Sequence, residues 1–267
     1  MNLKTQPIAV VIILIIALSC SQCAYVFKNK IPMPQVYHKL SVEKRQPTLI
    51  IFLPGIFSGP RYFVSKGIIS DLRSSLLQAD AVALDAHSGY YRDKSLFPRL
   101  MQDVIRPARQ AGYEMIWLVG VSLGGLGALL FAQEHPHSID GVIALAPYLG
   151  DKELCQEIKQ AGGLRDWKPL TPLDADDRYR SVLLWMKQHC AAPRTKPVIY
   201  LGYGTKDRFR PLLDLVAEIF PPEQVITLPG GHFWKTWRKI FNKYLEKGIF
   251  KTRDALHIEI QSDSEKD

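Results

Sequence analysis

The chain has few cysteines and no long run of basic residues. Four cysteines occur among its 267 residues, and two of these, Cys20 and Cys23, lie near the N-terminus. Cysteine and histidine do not show metal-site spacing, so we predict no metal. The formal net charge is +8, yet no run of Lys or Arg exceeds two residues. This pattern favours a solvated basic surface and predicts no nucleic-acid partner.

Charge is absent from a long stretch near the N-terminus, between Lys4 and Lys28. Within it, Ile8 to Leu18 carry only apolar side chains. This apolar core has the length of a secretory signal and is shorter than the roughly 20 residues of a typical spanning helix. We interpret residues 1–24 as a signal peptide or membrane anchor, which predicts an exported, membrane-anchored protein of a bacterial envelope.

Small residues precede Cys20 in the run Ala17-Leu18-Ser19-Cys20, which resembles a bacterial lipoprotein processing site. Leu18 stands one position later than the leucine of such a site. Lipidation of Cys20, retention as a signal anchor and ordinary cleavage near Ala24 are therefore all open. The first two alternatives attach the chain to a membrane through its N-terminal segment.

The rest of the chain has the composition of a globular domain, with 47% hydrophobic and 22% charged residues over the whole sequence. Residues 25–47 contain three prolines among polar residues, and we interpret them as a linker. The folded domain is expected from about Thr48 to residue 250. Residues 251–267 are interpreted as a polar tail.

Short, continuous apolar runs alternate with longer amphipathic ones, which indicates strands buried on both faces and crossover helices between them. The pattern predicts an α/β fold with a mostly parallel central sheet. The expected strands are Leu49–Leu53, Ala81–Leu84, Ile116–Val121, Val142–Ala146, Val198–Leu201 and Val225–Leu228. The expected helices are Ser58–Gln78, Leu96–Ala111, Ser122–Glu134, Pro211–Phe220 and Phe233–Lys247.

One segment, residues 150–193, interrupts the alternation. It carries a glycine pair, prolines and an acidic cluster between two helix-like pieces. Long connections inside compact domains are commonly functional, so we expect a lid-like cap over the sheet. The two body cysteines, Cys155 and Cys190, lie in this segment, and the sequence leaves open whether they form a disulfide.

The sharpest motif is Gly120-Val121-Ser122-Leu123-Gly124, which follows a predicted strand and precedes a predicted helix. A sharp turn at this place exposes a serine hydroxyl at the carboxyl edge of the sheet, and flanking glycines avoid collisions with the neighbouring strand and helix. The glycine spacing matches neither a dinucleotide-binding fingerprint nor a phosphate-binding P-loop. We therefore predict Ser122 as a nucleophile.

From about Leu49 to Ile240 the sequence resembles the α/β-hydrolase superfamily, in particular its serine esterases and lipases, which implies that fold and the chain order nucleophile, acid, histidine. Asp207 follows the fifth predicted strand and His232 follows the sixth. His232 is the expected general base and Asp207 its orienting acid. The acidic alternatives to Asp207 are Asp151, Asp174, Asp176 and Asp177.

The resemblance also implies two backbone N–H groups that stabilise an oxyanion. We assign them to Leu123, next to the nucleophile, and to Ile56 in the loop after the first predicted strand, with the neighbouring Phe57 as the alternative to Ile56. That loop reads Leu53-Pro54-Gly55-Ile56-Phe57, with Pro54-Gly55 where the superfamily commonly has His-Gly. His87 and Tyr148 follow other strands and are candidates for the mouth of the cleft.

Together these features predict a serine hydrolase of carboxylic or thio esters that acts through an acyl-enzyme without metal or cofactor. The substrate would be a small-molecule or lipid ester. Lipase, peptidase and transacylase chemistry use the same residues and stay open. The alternative outside enzymes is an envelope binding protein that keeps the fold without turnover.

Overall fold

The computed structural model of the chain describes residues 28–169, 172–174, 176–192 and 196–250. In this part of the chain a seven-stranded sheet has the order β1-β3-β2-β4-β5-β6-β7. Strand β1 pairs antiparallel with β3, and the other neighbours pair in parallel. The strands are β1 Gln35–His38, β2 Thr48–Leu53, β3 Ala79–Leu84, β4 Met115–Val121, β5 Gly141–Leu145, β6 Val198–Gly204 and β7 Val225–Leu228.

Every residue of β2, β3, β4 and β5 is buried. Apart from Thr48 and Asp80, their side chains are apolar, because helices pack on both faces of the sheet and leave neither face of these strands in water. The parallel register pairs Leu53 with Gly120 and Val121 with Leu145, so the carboxyl ends of the strands meet at one edge. The predicted mostly parallel α/β fold is confirmed.

The helices follow the predicted segments, with two interruptions. Gly67, at φ 82°, divides the first predicted helix in two, and π-helical turns over Leu100–Ile105 interrupt the second. The α-helices are α1 Arg61–Ser65, α2 Ile68–Ser74, α3 Ser88–Arg92, α4 Leu96–Arg99, α5 Arg106–Gln110, α6 Leu123–Glu134, α7 Lys152–Gln160, α8 Arg178–Ala191, α9 Arg210–Ala217 and α10 Trp234–Glu246.

The structure differs from the expected linker over residues 25–47. Its described part contains β1, which extends the sheet by pairing Gln35 with Leu84, and Met33 is 1% exposed. An edge strand of four residues with mostly polar or half-exposed side chains gives little hydrophobic pattern, and prolines nearby are compatible with an edge position. The domain therefore begins before Thr48.

The described residues between 150 and 192 pack against the rest of the domain. Helix α8 packs on α6, where Gln133 Nε2 donates to Ser181 Oγ at 2.8 Å. Trp167 is fully buried, and its Nε1 donates to Glu157 Oε1 at 2.9 Å. Helix α8 thus supplies the crossover between β5 and β6, and the lid function of the segment stays a prediction. Cys155 and Cys190 are both free thiols.

The interpreted leader, residues 1–24 with Cys20, and the tail over 251–267 lie outside the described residues. Among the helices of the described ranges, none combines the length and apolar character needed to cross a membrane.

Candidate active site

Ser122 occupies a sharp turn between β4 and α6. Its backbone has φ 53° and ψ −112°, a conformation that L-residues rarely adopt. Neighbours on both sides fix the turn: Ser122 N–H donates to Leu145 O at 2.9 Å, and Tyr148 N–H donates to Ser122 O at 3.2 Å. Such strain costs about 1–3 kcal/mol and persists at functional positions. The turn is a structural feature that the predicted nucleophile requires.

The glycines of the motif make this turn possible because there is no room for side chains. A Cβ atom on Gly120 would lie 2.1 Å from Gly124 O, and one on Gly124 would lie 2.2 Å from Leu53 O. Both obstacles are backbone atoms, which cannot move aside cheaply. The strand, the helix and the loop after β2 therefore pack around Ser122 at backbone contact distance.

Asp207 and His232 follow the adjacent strands β6 and β7 at the same edge of the sheet. Backbone hydrogen bonds join their loops, with Thr205 N–H donating to Leu228 O at 2.9 Å and Lys206 N–H to Gly230 O at 2.8 Å. A Cβ atom on Gly204 would lie 2.1 Å from Gly230 O. Close backbone approach at Gly204 thus sets the distance between the acid and the histidine.

The structure brings Ser122, His232 and Asp207 into one hydrogen-bonded chain. His232 Nε2 lies 2.9 Å from Ser122 Oγ, and His232 Nδ1 lies 2.9 Å from Asp207 Oδ2 and 3.1 Å from Oδ1. When Nδ1 carries the proton and donates it to the carboxylate, Nε2 is free to accept the serine hydroxyl proton. This geometry can deprotonate Ser122.

The two partners of the serine are held firmly. The Asp207 side chain has no exposed surface and that of His232 is 11% exposed. Asp207 Oδ1 also accepts a hydrogen bond from Phe209 N–H at 2.9 Å. The rings of Phe209 and Trp237 contact the imidazole edge-on, with centroid distances of 4.8 and 4.9 Å. Sequence analysis did not assign these two aromatic residues to the site, although each lies within five positions of a predicted site residue.

The other acidic candidates have different partners. Asp151 accepts from Leu154 N–H at the start of α7, and Asp177 accepts from Arg180 N–H at the start of α8. Asp176 pairs with Lys94. Asp174 accepts from the backbone N–H of Asp176. Among the predicted acids in the described residues, Asp207 is the one that contacts His232.

The loop after β2 lies directly beside the nucleophile. A Cβ atom on Gly55 would lie 3.4 Å from Ser122 Cβ. Ser58 N–H donates to Gly55 O at 3.2 Å and closes a turn with Ile56 and Phe57 at its centre. Ile56 N–H has no acceptor within the described part of the protein, and Leu123 supplies the first N–H of α6. The role of both amides as oxyanion donors to a ligand at Ser122 stays a prediction.

Cavities flank this centre on two sides. One of about 560 Å³ is lined by Tyr148 and Phe209 on the side of β5 and β6. Another of about 510 Å³ is lined by Phe57 and His87 on the side of β3. Burial lowers the pKa of His87 below its ordinary value. The structure thus places both predicted mouth residues, Tyr148 and His87, next to spaces beside the site.

Comparisons with known proteins agree with the fold. The model of the family described as serine aminopeptidase, S33, matches residues 84–229. No curated protein matches the chain. The superposed structures below are each 12–17% identical in sequence to this chain, so they support the fold alone.

Three solved structures illustrate the likeness. FphF, a fluorophosphonate-binding serine hydrolase of Staphylococcus aureus, matches at 15% identity and TM-score 0.53, covering 77% of this chain and 84% of its own. S-formylglutathione hydrolase (FrmB) from Staphylococcus aureus matches at 12% identity and TM-score 0.54, covering 82% of this chain and 98% of its own. Est1E from Butyrivibrio proteoclasticus matches at 17% identity and TM-score 0.53, covering 80% of this chain and 92% of its own.

Proposed function

The chain belongs to the family described as serine aminopeptidase, S33, and we propose that it hydrolyses carboxylic or thio esters with Ser122 as nucleophile, His232 as base and Asp207 as orienting acid. The observation that carries this proposal is the continuous hydrogen-bonded chain from Asp207 through His232 to Ser122, with both nitrogen–oxygen contacts to the imidazole at 2.9 Å.

The steps follow from these contacts. His232 Nε2 takes the hydroxyl proton as Ser122 Oγ attacks the acyl carbon, and the developing oxyanion accepts hydrogen bonds from the backbone N–H groups of Leu123 and Ile56. The protonated imidazole, stabilised by the Asp207 carboxylate, then gives its proton to the leaving alcohol or thiol. A water molecule, deprotonated by the same imidazole, releases the acid and restores Ser122.

An ester is favoured over a peptide with a free amino terminus by the charge around the site. An aminopeptidase must recognise a cationic α-amino group, and carboxylates are the usual partners of such a group. The loops beside the triad, residues 54–67, 205–211 and 229–240, contain eight Lys or Arg and one acid, the buried Asp207. The carboxylates of Asp85, Asp151 and Glu153 line the two flanking cavities and lie outside these loops.

A fluorophosphonate probe tests the nucleophile, because it phosphonylates an activated serine without requiring knowledge of the substrate. We expect labelling of the full-length protein at Ser122, identified by peptide mass, and loss of both labelling and ester hydrolysis in Ser122→Ala. Ser138→Ala, a change in the turn after α6, is the matched control and should keep both. Labelling elsewhere, or ester turnover by Ser122→Ala, contradicts the proposal.

The non-catalytic alternative gives a different result in the same experiment. A binding protein that only retains the fold would remain unlabelled and would show no turnover across esters of different acyl length, even with Ser122, Asp207 and His232 intact. Labelling at Ser122 together with turnover excludes it.

Export and membrane attachment through residues 1–24 form a separate part of the proposal. The support is the uncharged stretch between Lys4 and Lys28 and the small residues before Cys20. The mass of the mature N-terminus distinguishes the routes. A diacylglyceryl-modified Cys20 identifies a lipoprotein, a start near residue 24 identifies ordinary cleavage, and an intact Met1 identifies retention of the leader.

A further inference from the structure

Large apolar side chains stand exposed around the proposed catalytic centre. Phe57, in the loop beside Ser122, is 84% exposed, and Phe233, next to His232, is 70% exposed. Ile56 and Tyr62 are also exposed, and the Tyr62 ring stacks on Trp234 with centroids 5.8 Å apart. We call these four exposed residues, together with the half-buried Trp234, the apolar rim. Apolar groups gathered at one place indicate an interaction surface, whereas scattered ones do not.

One rim residue, Phe57, combines a strained backbone conformation with an exposed side chain. Phe57 has φ 60°, in the left-handed region that a bulky residue seldom occupies. The strain is not compensated by burial of the ring, since the ring is largely in water. This φ belongs to the Gly55–Ser58 turn beside Ser122, and the turn leaves the Phe57 ring in water, where an external partner can reach it.

Cations border the rim. Arg61, Lys66 and Lys235 are exposed, and Lys66 Nζ lies 5.9 Å from the centre of the Tyr62 ring. None of these three forms an ion pair within the described ranges. Amphipathic aromatic rings with adjacent Lys and Arg suit the boundary between anionic headgroups and acyl chains. The charge and the apolar area therefore fit the same partner.

We propose that the apolar rim docks the catalytic face of the domain on an anionic lipid surface, so that Ser122 receives ester substrates directly from the bilayer. This inference rests on the proposed ester hydrolysis, and it concerns the folded domain rather than residues 1–24. The rim lies beside the triad, in the segments that follow β2 and β7, so docking turns the carboxyl edge of the sheet towards the lipid. An acyl chain then moves from the membrane to Ser122 without crossing bulk water.

Tryptophan quenching by brominated acyl chains tests the docking independently of catalysis. The N-terminal segment contains no Trp, so a leader inserted in the bilayer contributes no signal. We would compare full-length Phe57→Trp and Phe233→Trp, each in a Ser122→Ala background, with that background alone. Leu76→Trp is the matched control, because Leu76 is 99% exposed and precedes β3 at the opposite edge of the sheet.

With vesicles of phosphatidylglycerol and dibrominated phosphatidylcholine, we expect quenching above that of the Ser122→Ala background, which retains Trp234 of the rim, at positions 57 and 233, and no increase over that background at position 76. Combined Arg61→Glu, Lys66→Glu and Lys235→Glu should weaken it, since each cation near an anionic surface contributes about 1 kcal/mol, or roughly fivefold in affinity. Thermal unfolding checks that each variant is folded.

Quenching at 57 and 233 no greater than at 76 would overturn the docking proposal, and so would quenching unaffected by the charge reversals. Either result leaves ester hydrolysis standing if the wild-type protein is labelled at Ser122 by the fluorophosphonate. Conversely, rim insertion without labelling of the wild type contradicts the proposed function and shows a lipid-binding domain. The two proposals can therefore fail separately.

Discussion

Replacing Asp207 by asparagine exchanges one carboxylate oxygen for an NH₂ group and leaves the shape of the site unchanged. Asp207 Oδ1 accepts from Phe209 N–H at 2.9 Å and can do so only as an oxygen. The amide nitrogen of the variant therefore faces His232 Nδ1. Since that nitrogen is a donor, Nδ1 must become an acceptor, and the ring proton moves to Nε2, where it blocks proton transfer from Ser122.

The magnitude follows from the charge that the imidazole acquires during reaction. With Nδ1 2.9 Å from Oδ2, the centres of the imidazolium and the carboxylate lie roughly 4 Å apart. Their attraction at an effective dielectric constant of about 20 is about 4 kcal/mol, or roughly a thousandfold in rate. The incorrect tautomer adds to this loss, so we expect kcat of Asp207→Asn to fall by about 10³–10⁴.

Steady-state hydrolysis of a short activated ester measures this effect, with KM expected to change little because the Asp207 side chain has no surface exposed to a substrate. Asp151→Asn is the matched control, since asparagine caps a helix as well as aspartate does and Asp151 serves α7 rather than His232. Near-normal kcat in Asp207→Asn would refute the assignment of the acid. A comparable loss of kcat in Asp151→Asn would show that the effect is not specific to the carboxylate that contacts His232.

Two further predictions concern the segment over residues 150–193. Hydrogen bonding from Arg180 holds the pKa of Glu157 below its ordinary value, so this contribution to stability is present above the unfolded pKa and is lost as pH falls through the folded one. Glu157→Gln should lower the free energy of unfolding by about 1–2 kcal/mol at neutral pH and by little near pH 3, measured by urea denaturation; an equal loss at both pH values contradicts the ion pair. Burial raises the pKa of the Cys190 thiol to about 12, so the native protein should react with an aromatic disulfide at Cys190 far more slowly at pH 8 than the unfolded protein; equally fast labelling contradicts the buried environment.

The sheet could be predicted because its central strands are buried on both faces and read as short apolar runs. Strand β1 could not, because Gln35–His38 gains its stability from pairing with β3 rather than from its own hydrophobicity. The break in the first predicted helix has a local cause, the left-handed Gly67. A glycine inside an amphipathic segment is compatible with either a continuous or a divided helix, so the periodicity alone did not decide between them.

At the site, chain order was sufficient to predict which side chains come together, because parallel strands deliver the residues after β4, β6 and β7 to one edge. What surrounds them depends on three-dimensional contacts that leave no local pattern. The aromatic residues after His232 illustrate this: Trp237 packs inward against His232, whereas Phe233, four positions earlier, stands 70% exposed. In the sequence the two belong to one aromatic run, yet one packs on the imidazole of His232 and the other faces the solvent. The distinction matters because a buried ring stabilises the site by itself, whereas an exposed ring beside it is accessible to an external partner, and in the proposed docking the adjacent cations favour an anionic one.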